Sequence, residues 1–280
     1  MTSPLIDGRA AQGVDSADRG LQYGDGLFET ITCRDGEARW LALHLQRLQH
    51  GCKQLRIAFR DFEPLAAEVR DLAAGQQRCI VKVIVTRGTA TRRGYAPAGD
   101  EKPTRIVSRH DWPPSPSPSQ ANSGFRLGVS SVTLGINPLL AGLKHLNRLE
   151  QVLAQMAHDA AGLDEVLMLS SAGQLIGGSM SNVFLVDDSG LFTPELRDCG
   201  VAGVMRRVVL EAAAGHGLPV DVRAVVRGEL ACVHEVFVTN VRWGVQSVRL
   251  LEGRALPSDA LAARLRAMID APRAPDAARG

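Results

Sequence analysis

The chain has 280 residues, 45% of them hydrophobic and 22% charged, with a formal net charge of +2. That supplies core for one large or two modest globular domains and excludes a disordered chain; the near-neutral balance and lack of a long basic run give no ground for a nucleic-acid or anionic-membrane partner, and no apolar run approaches the ~18–20 residues of a membrane span. Cys33, Cys52, Cys79, Cys199 and Cys232 are scattered without the close pairs of zinc or redox motifs, and an odd count with no signal peptide points to a reducing cytoplasm.

The first stretch, residues 6–35, is rich in glycine, and 18–31 reads as a loop leading into a strand, the glycines permitting backbone shapes closed to other residues. Apolar residues at Leu41, Leu45, Leu48, Cys52 and Leu55 follow helical spacing. Arg47 lies on that helix, and periodicity alone does not separate a solvated from a functional arginine. A second helix is predicted over 62–74, then an alternating, β-branched strand over 78–86. Residues 87–95 form a basic glycine loop, of a kind most often solvated. After a strand at 104–108, the stretch 111–124 carries Pro113, Pro114, Pro116 and Pro118 and reads as a semi-rigid connector. This gives an N-terminal α/β domain over 1–119, the end of the linker at 120–123 and a C-terminal domain over 124–280.

The second half opens with a strand over 125–132 and reaches Lys144, which stands among apolar residues at the junction before a helix expected from about 146 to 161. Partial burial of such a lysine disfavours the ammonium form and makes a nucleophile or base of it near neutral pH. The plainer reading is a lysine before a helix with its charge in solvent. Strands follow at 165–170 and 183–186, with the small, polar loop 177–182 between them. Residues 199–211 read as a glycine turn opening a helix, whose free N–H groups and dipole suit a phosphate. A buried-looking strand and polar turn over 235–248, a last helix over 261–269 and a loose tail over 271–280 complete the chain.

The segment Leu140-Ala-Gly-Leu-Lys144-His-Leu-Asn-Arg-Leu-Glu150-Gln-Val-Leu153 resembles, nearly residue for residue, the active-site segment of the 4-amino-4-deoxychorismate lyases. These are pyridoxal 5'-phosphate (PLP) enzymes of fold type IV, the group of the D-amino-acid and branched-chain aminotransferases. The resemblance recurs in the same order along almost the whole chain. It implies a two-domain α/β fold of D-amino-acid-aminotransferase type, PLP as cofactor, a small anionic substrate, a homodimer, and conversion of 4-amino-4-deoxychorismate to 4-aminobenzoate and pyruvate on the way to folate. Lys144 would be the catalytic lysine. Arg47, in a His-x-x-Arg-Leu pattern, would hold the cofactor's phosphate. Asn182 marks the floor of the cofactor site; Gly203, Val204 and Met205 match the phosphate-cup turn, and Asn240 the last pocket loop. Tyr23 and Thr30 become candidates for the substrate, and Arg93 for its carboxylate.

Two positions depart from the pattern. Gly177 stands where the family has a glutamate, five residues before the asparagine, which pairs with the pyridine nitrogen, and no nearby residue in the sequence replaces that carboxylate. Ser247 stands in place of a common proline. The wording around Lys144 favours the lyase over a D- or branched-chain aminotransferase of the same fold, while Gly177 is the one feature that favours a non-catalytic relative.

Overall fold

In β5 (Arg78–Thr86) every second residue, Cys79, Val81, Val83 and Val85, is buried, while Ile80, Lys82 and Ile84 keep part of their surface. That period of two makes it the centre of a sheet with one covered and one open face. The computed structural model, which describes residues 3–90, 92–113 and 124–270, pairs β5 antiparallel with β3 (Gly26–Arg34) along its whole length and with β6 (Arg105–Asp111) on the other side. Adding β1 (Leu5–Ile6), β2 (Arg9–Ala10) and β4 (Glu37–Ala38) gives the order β2-β1-β6-β5-β3-β4. The covered face carries α2 (Leu41–Leu55) and α3 (Phe62–Ala73), whose Leu48, Cys52, Leu65 and Val69 share a core with Leu27, Ile31, Val81 and Val83. Each such side chain contributes about 1.5–3 kcal/mol on burial, so slipping a strand by one residue, which turns the whole set outward, is strongly disfavoured.

Two units emerge from the contacts, the first being Met1–Ser115 with Asn137–Leu149. The stretch around Lys144 therefore packs with the first unit, where the sequence had grouped it with the residues after 124. Short strand-like pairing is the cause: Phe28 N–H donates to Lys144 O at 2.9 Å and Leu146 N–H to Gly26 O at 3.0 Å. Leu143 is buried in the first unit's core. That pairing occupies residue 146, so the helix expected from there begins later, as α4 (Leu149–Ala161). Of the proline-rich connector expected over 111–124, residues 114–123 lie outside the described residues, and Asp111 is the last residue of β6, paired opposite Cys79.

The second unit holds a mixed sheet in the order β12-β11-β10-β13-β14-β7-β8-β9, with β15 (Arg254–Ala255) added to β14. Its strands are β7 (Phe125–Val129), β8 (Glu165–Leu169), β9 (Leu175–Gly178), β10 (Asn182–Asp187), β11 (Gly190–Pro194), β12 (Val220–Arg223), β13 (Glu235–Asn240) and β14 (Gly244–Leu251). β14, β7 and β8 run parallel to one another, as do β11 and β12; the other pairs are antiparallel. β8 is buried throughout and β10 and β13 almost so, which is why they read as continuous apolar runs. Helices α5 (Val204–Gly215) and α6 (Ala260–Asp270) pack on each other and on β13. Gly177 and Gly178, expected in a loop, end β9. Among the described residues no helix is long and apolar enough to cross a membrane.

Candidate active site

Lys144 owes its place to β3. With Leu27 paired opposite His145, the next position sets Lys144 opposite Phe28, and its Nζ lies 4.2 Å from the Phe28 ring centroid. The side chain keeps some exposed surface, but the amine itself is densely surrounded. Burial, then the positive charge of Arg47, lowers it from the ordinary lysine range to about 7, against the pull of the Glu29 carboxylate. A lysine so placed is roughly half neutral at pH 7, whereas a solvated one is almost wholly charged. The solvated alternative for Lys144 fails on this geometry.

Glu29 sits on the covered face of β3, between Leu27 and Ile31, and is 2% exposed. A carboxylate there requires partners. It accepts from Arg47 Nε at 2.8 Å and Arg47 Nη2 at 2.5 Å, and bonds His44 Nδ1 at 2.6 Å. Burial alone would raise the Glu29 carboxyl; the Arg47 charge and the His44 bond reverse that and hold it at about 2. His44, wholly buried, is pushed down by that burial, so the neutral ring donates from Nδ1 to the carboxylate. Arg47, one helical turn beyond His44 on α2, is thus fixed by its Nε edge against a buried carboxylate. Glu29 and His44 had no place in the sequence reading. The available signal was a carboxylate at an inward position of an alternating strand.

Of the first unit's remaining candidates, Thr30 lies on the open face. Thr30 lies opposite Lys82, which lies opposite Ser108, so a polar row crosses the three central strands. Lys82 Nζ is 5.7 Å from the Phe28 ring centroid, so two amines share one aromatic side chain. Sequence reasoning had set Lys82 apart in a different domain from Lys144. Tyr23, in α1 (Arg19–Tyr23), meets Tyr95 edge-on with ring centroids 5.5 Å apart. Arg93 is exposed in the loop after β5.

In the second unit, α5 begins at Gly203 with no side-chain cap, so the N–H groups of Val204 and Met205 have no carbonyl of their own helix to reach. Asn182 binds the preceding turn through both ends of its amide: Nδ2 donates to Val201 O at 2.9 Å and Oδ1 accepts from Gly203 N–H at 3.1 Å. A Cβ on Gly203 would collide with that Oδ1, so only glycine lets the asparagine close the turn. Arg206, in the first turn of α5, has a buried Nε without a partner, and burial lowers its pKa. Asn240 Oδ1 accepts from Arg242 N–H at 3.0 Å and Trp243 N–H at 2.9 Å, and its Nδ2 donates to Met180 O at 3.4 Å.

Met180 belongs to a turn built on Glu165. This buried carboxylate accepts from Ser179 N–H and Met180 N–H, both at 3.2 Å, from Ser181 Oγ at 2.9 Å, and from Ser179 Oγ. It reaches the turn across Gly178, whose Cβ would stand 2.8 Å from Oε2. Gly177, the next residue back in β9, faces the opposite way, toward Ser181 O and Asn182. Glu165 is therefore saturated on the far side of the strand and is no substitute for a carboxylate at position 177. Among the described residues no cluster of His, Cys, Asp and Glu has the makings of a metal site.

The family model for amino-transferase class IV matches residues 26–251. The chain belongs to the class IV aminotransferase family. Among its relatives, the aminodeoxychorismate lyase of Vibrio harveyi is 36% identical over 248 residues, covering 87% of this chain and 89% of the relative. A D-alanine aminotransferase of Bacillus licheniformis is 30% identical over 267 residues, 91% of this chain and 90% of that enzyme. The solved 4-amino-4-deoxychorismate lyase of Pseudomonas aeruginosa superposes with a TM-score of 0.88 at 44% identity, covering 94% of this chain and 96% of its own. The branched-chain aminotransferase of Escherichia coli gives 0.85 at 21% identity, a likeness of fold. The class IV fold, with its fold type IV architecture, thus agrees with the resemblance carried by the Lys144 segment.

Proposed function

We infer that this protein is a PLP-dependent lyase converting 4-amino-4-deoxychorismate to 4-aminobenzoate and pyruvate, a step toward folate. The observation that carries the reading is the Lys144 amine, held against Phe28 and lowered to about 7 in a class IV fold. The names of the Vibrio and Pseudomonas relatives support the lyase over the transaminases.

The residues suit PLP. Its phosphate calls for N–H donors and fixed cations, which the uncapped start of α5 and the unpartnered Nε of Arg206 supply, and Gly203 leaves that turn clear of a Cβ. Within the second unit Gly203, Val204 and Met205 would offer the phosphate their main-chain donors, with Asn182 and Asn240 shaping the turns of that unit. Bound through Lys144, PLP supplies the electron sink that the reaction requires. Lys144, as a neutral amine, would take the proton from the ring carbon that bears the substrate's amino group. Loss of that proton would expel the enolpyruvyl group by breaking its ether bond and leave the ring aromatic; the enolpyruvate released takes up a proton, balancing the one removed by Lys144, and becomes pyruvate. Aromatisation drives much of this, so the reaction tolerates a weaker sink than transamination does, in keeping with Gly177. The substrate's carboxylates face cations: Arg93 for one, and Lys82 beside Thr30 for the other, with Tyr23 lining the approach.

The finer setting is a cytoplasmic homodimer. Five free thiols suit a reducing compartment, and an exposed apolar stripe on α4 suits a second copy. The test is direct: PLP-loaded protein is mixed with 4-amino-4-deoxychorismate, and 4-aminobenzoate and pyruvate are assayed together. Equimolar release of both supports the lyase. Faster amino transfer from D-alanine or leucine than elimination would make it a transaminase.

A further inference from the structure

The loop between β5 and β6 carries Arg92, Arg93 and Tyr95 outward, and residues 92–100 are all exposed. Such a stretch has little packing of its own to fix its shape. Several of its bonds are internal, Arg92 Nη2 to Pro97 O at 3.1 Å and the Glu101 carboxylate to the N–H groups of Ala98 and Gly99 at 2.6 and 2.9 Å.

Arg19 ties it to the body of the unit. This guanidinium is only 3% exposed, and it donates from Nη1 to Gly94 O at 3.1 Å and from Nη2 to Tyr95 O at 2.6 Å. Its Nε donates to Asp25 Oδ2 at 2.9 Å, and its face lies 5.0 Å from the Tyr23 ring centroid. Asp25 also receives Arg87, the first residue of the loop, at 2.7 and 3.0 Å. A buried arginine, paired with a carboxylate that it shares with Arg87, thus grips the main-chain carbonyls of the two residues directly after Arg93. Gly94 sits at φ 106°, a conformation that gives the chain no inherent stiffness at that point.

We propose that Arg19 is a positioning residue for substrate recognition: by gripping the Gly94 and Tyr95 carbonyls it fixes the turn on which Arg93 meets the substrate's carboxylate. This rests on the reading of Arg93 given above. An unclamped loop must be ordered each time substrate binds, which weakens binding and leaves the chemical step alone. Lysine carries the same charge without the planar fork, and cannot serve Asp25 and both carbonyls together.

The test uses the full-length, PLP-loaded enzyme and three variants, Arg19→Gln, Arg19→Lys and Arg93→Gln. Each is assayed for KM and kcat and for the rate of tryptic cleavage after Arg92, mapped by mass. Arg19→Gln is expected to be cut about tenfold faster and to raise KM about tenfold with kcat within about threefold, and Arg19→Lys to fall between it and the parent. Arg93→Gln is expected to raise KM with no faster cleavage. Cleavage of Arg19→Gln at the parent rate overturns the clamp. Faster cleavage with unchanged KM, while Arg93→Gln does raise KM, overturns the positioning role. An unchanged KM in Arg93→Gln overturns the reading of Arg93, and with it the proposal, whatever the cleavage rates show. Should Arg19→Gln not be recovered folded, by circular dichroism, Arg19→Lys is judged by the same outcomes.

Discussion

Lys144 and Lys82 differ in what surrounds them more than in where they point. Both amines approach the Phe28 ring, and Lys144, densely buried beside Arg47, is lowered to about 7. Borohydride reduction of the PLP-loaded protein followed by peptide mapping is therefore expected to label Lys144 alone, and Lys144→Ala to abolish turnover; label on Lys82 would reverse the assignment. A pH dependence follows from the same shift. The neutral amine is the form that attacks the cofactor's aldehyde, and its fraction grows as pH rises through about 7. The rate of reconstitution of the apoprotein with PLP should rise with pH and level off above about 8, where an ordinary lysine would keep rising toward 10. A profile still climbing at pH 9 would contradict the lowered pKa. Gly177 is explained by contact. It is not among the glycines at positive φ, and a Cβ there would lie 2.9 Å from the Ser181 carbonyl oxygen. Gly177→Ala is expected to cost about 1–3 kcal/mol as an overpacked site, read as a fall in urea midpoint. No loss would mean that β9 and the 179–181 turn separate easily, and a glutamate would then be free to enter.

At the level of elements, legibility tracked periodicity. β5 and α2 follow from alternation or helical spacing, β3 from the glycine loop that leads into it, and β8 and β13 from apolar runs. The pairing of residues 144–146 with β3 is too short to have a period, and its partner lies more than a hundred residues away, so the sequence offered no means of assigning Lys144 to the first unit. The end of β9 was hidden because two glycines read as a loop; they are there to admit Glu165 on one side and Ser181 on the other. Lys144, Arg47 and the start of α5 are candidates that the resemblance to a family names, whereas Glu29, His44 and Glu165 are not among them because each acts on a partner distant in sequence. Glu165 yields a test at this scale. In Glu165→Gln an amide NH2 would face donors, leaving either the Ser179 or the Met180 N–H short of an acceptor. A loss of about 1.5–3 kcal/mol is expected for bonds to a charged group, with weaker PLP binding in a fluorescence titration because the turn bearing Met180 also holds Asn240. Lost stability with unchanged PLP affinity would show that the turn does not serve the cofactor.

For the whole molecule, the most instructive surface is α4. Leu149, Val152, Leu153 and Met156 follow one another at helical spacing of three, one and three residues, and are 78%, 51%, 53% and 66% exposed. Isolated exposed apolar residues are common in monomers; four along one helical face are the kind of surface that the proposed homodimer would cover. The chain has no long charged run to recruit a different partner, and a second copy provides the same stripe. A stable dimer buries about 1,200–2,000 Å² in total, of which this stripe would form the apolar part. The pair Val152→Glu and Met156→Glu places two carboxylates per chain on that face. Like charges brought together with loss of water oppose association, while an isolated chain keeps both in solvent. Sedimentation at micromolar concentration is expected to show a dimer for the parent and a monomer for the double variant, with circular dichroism unchanged. A parent that sediments as a monomer, or a variant that remains dimeric, would remove α4 from the interface.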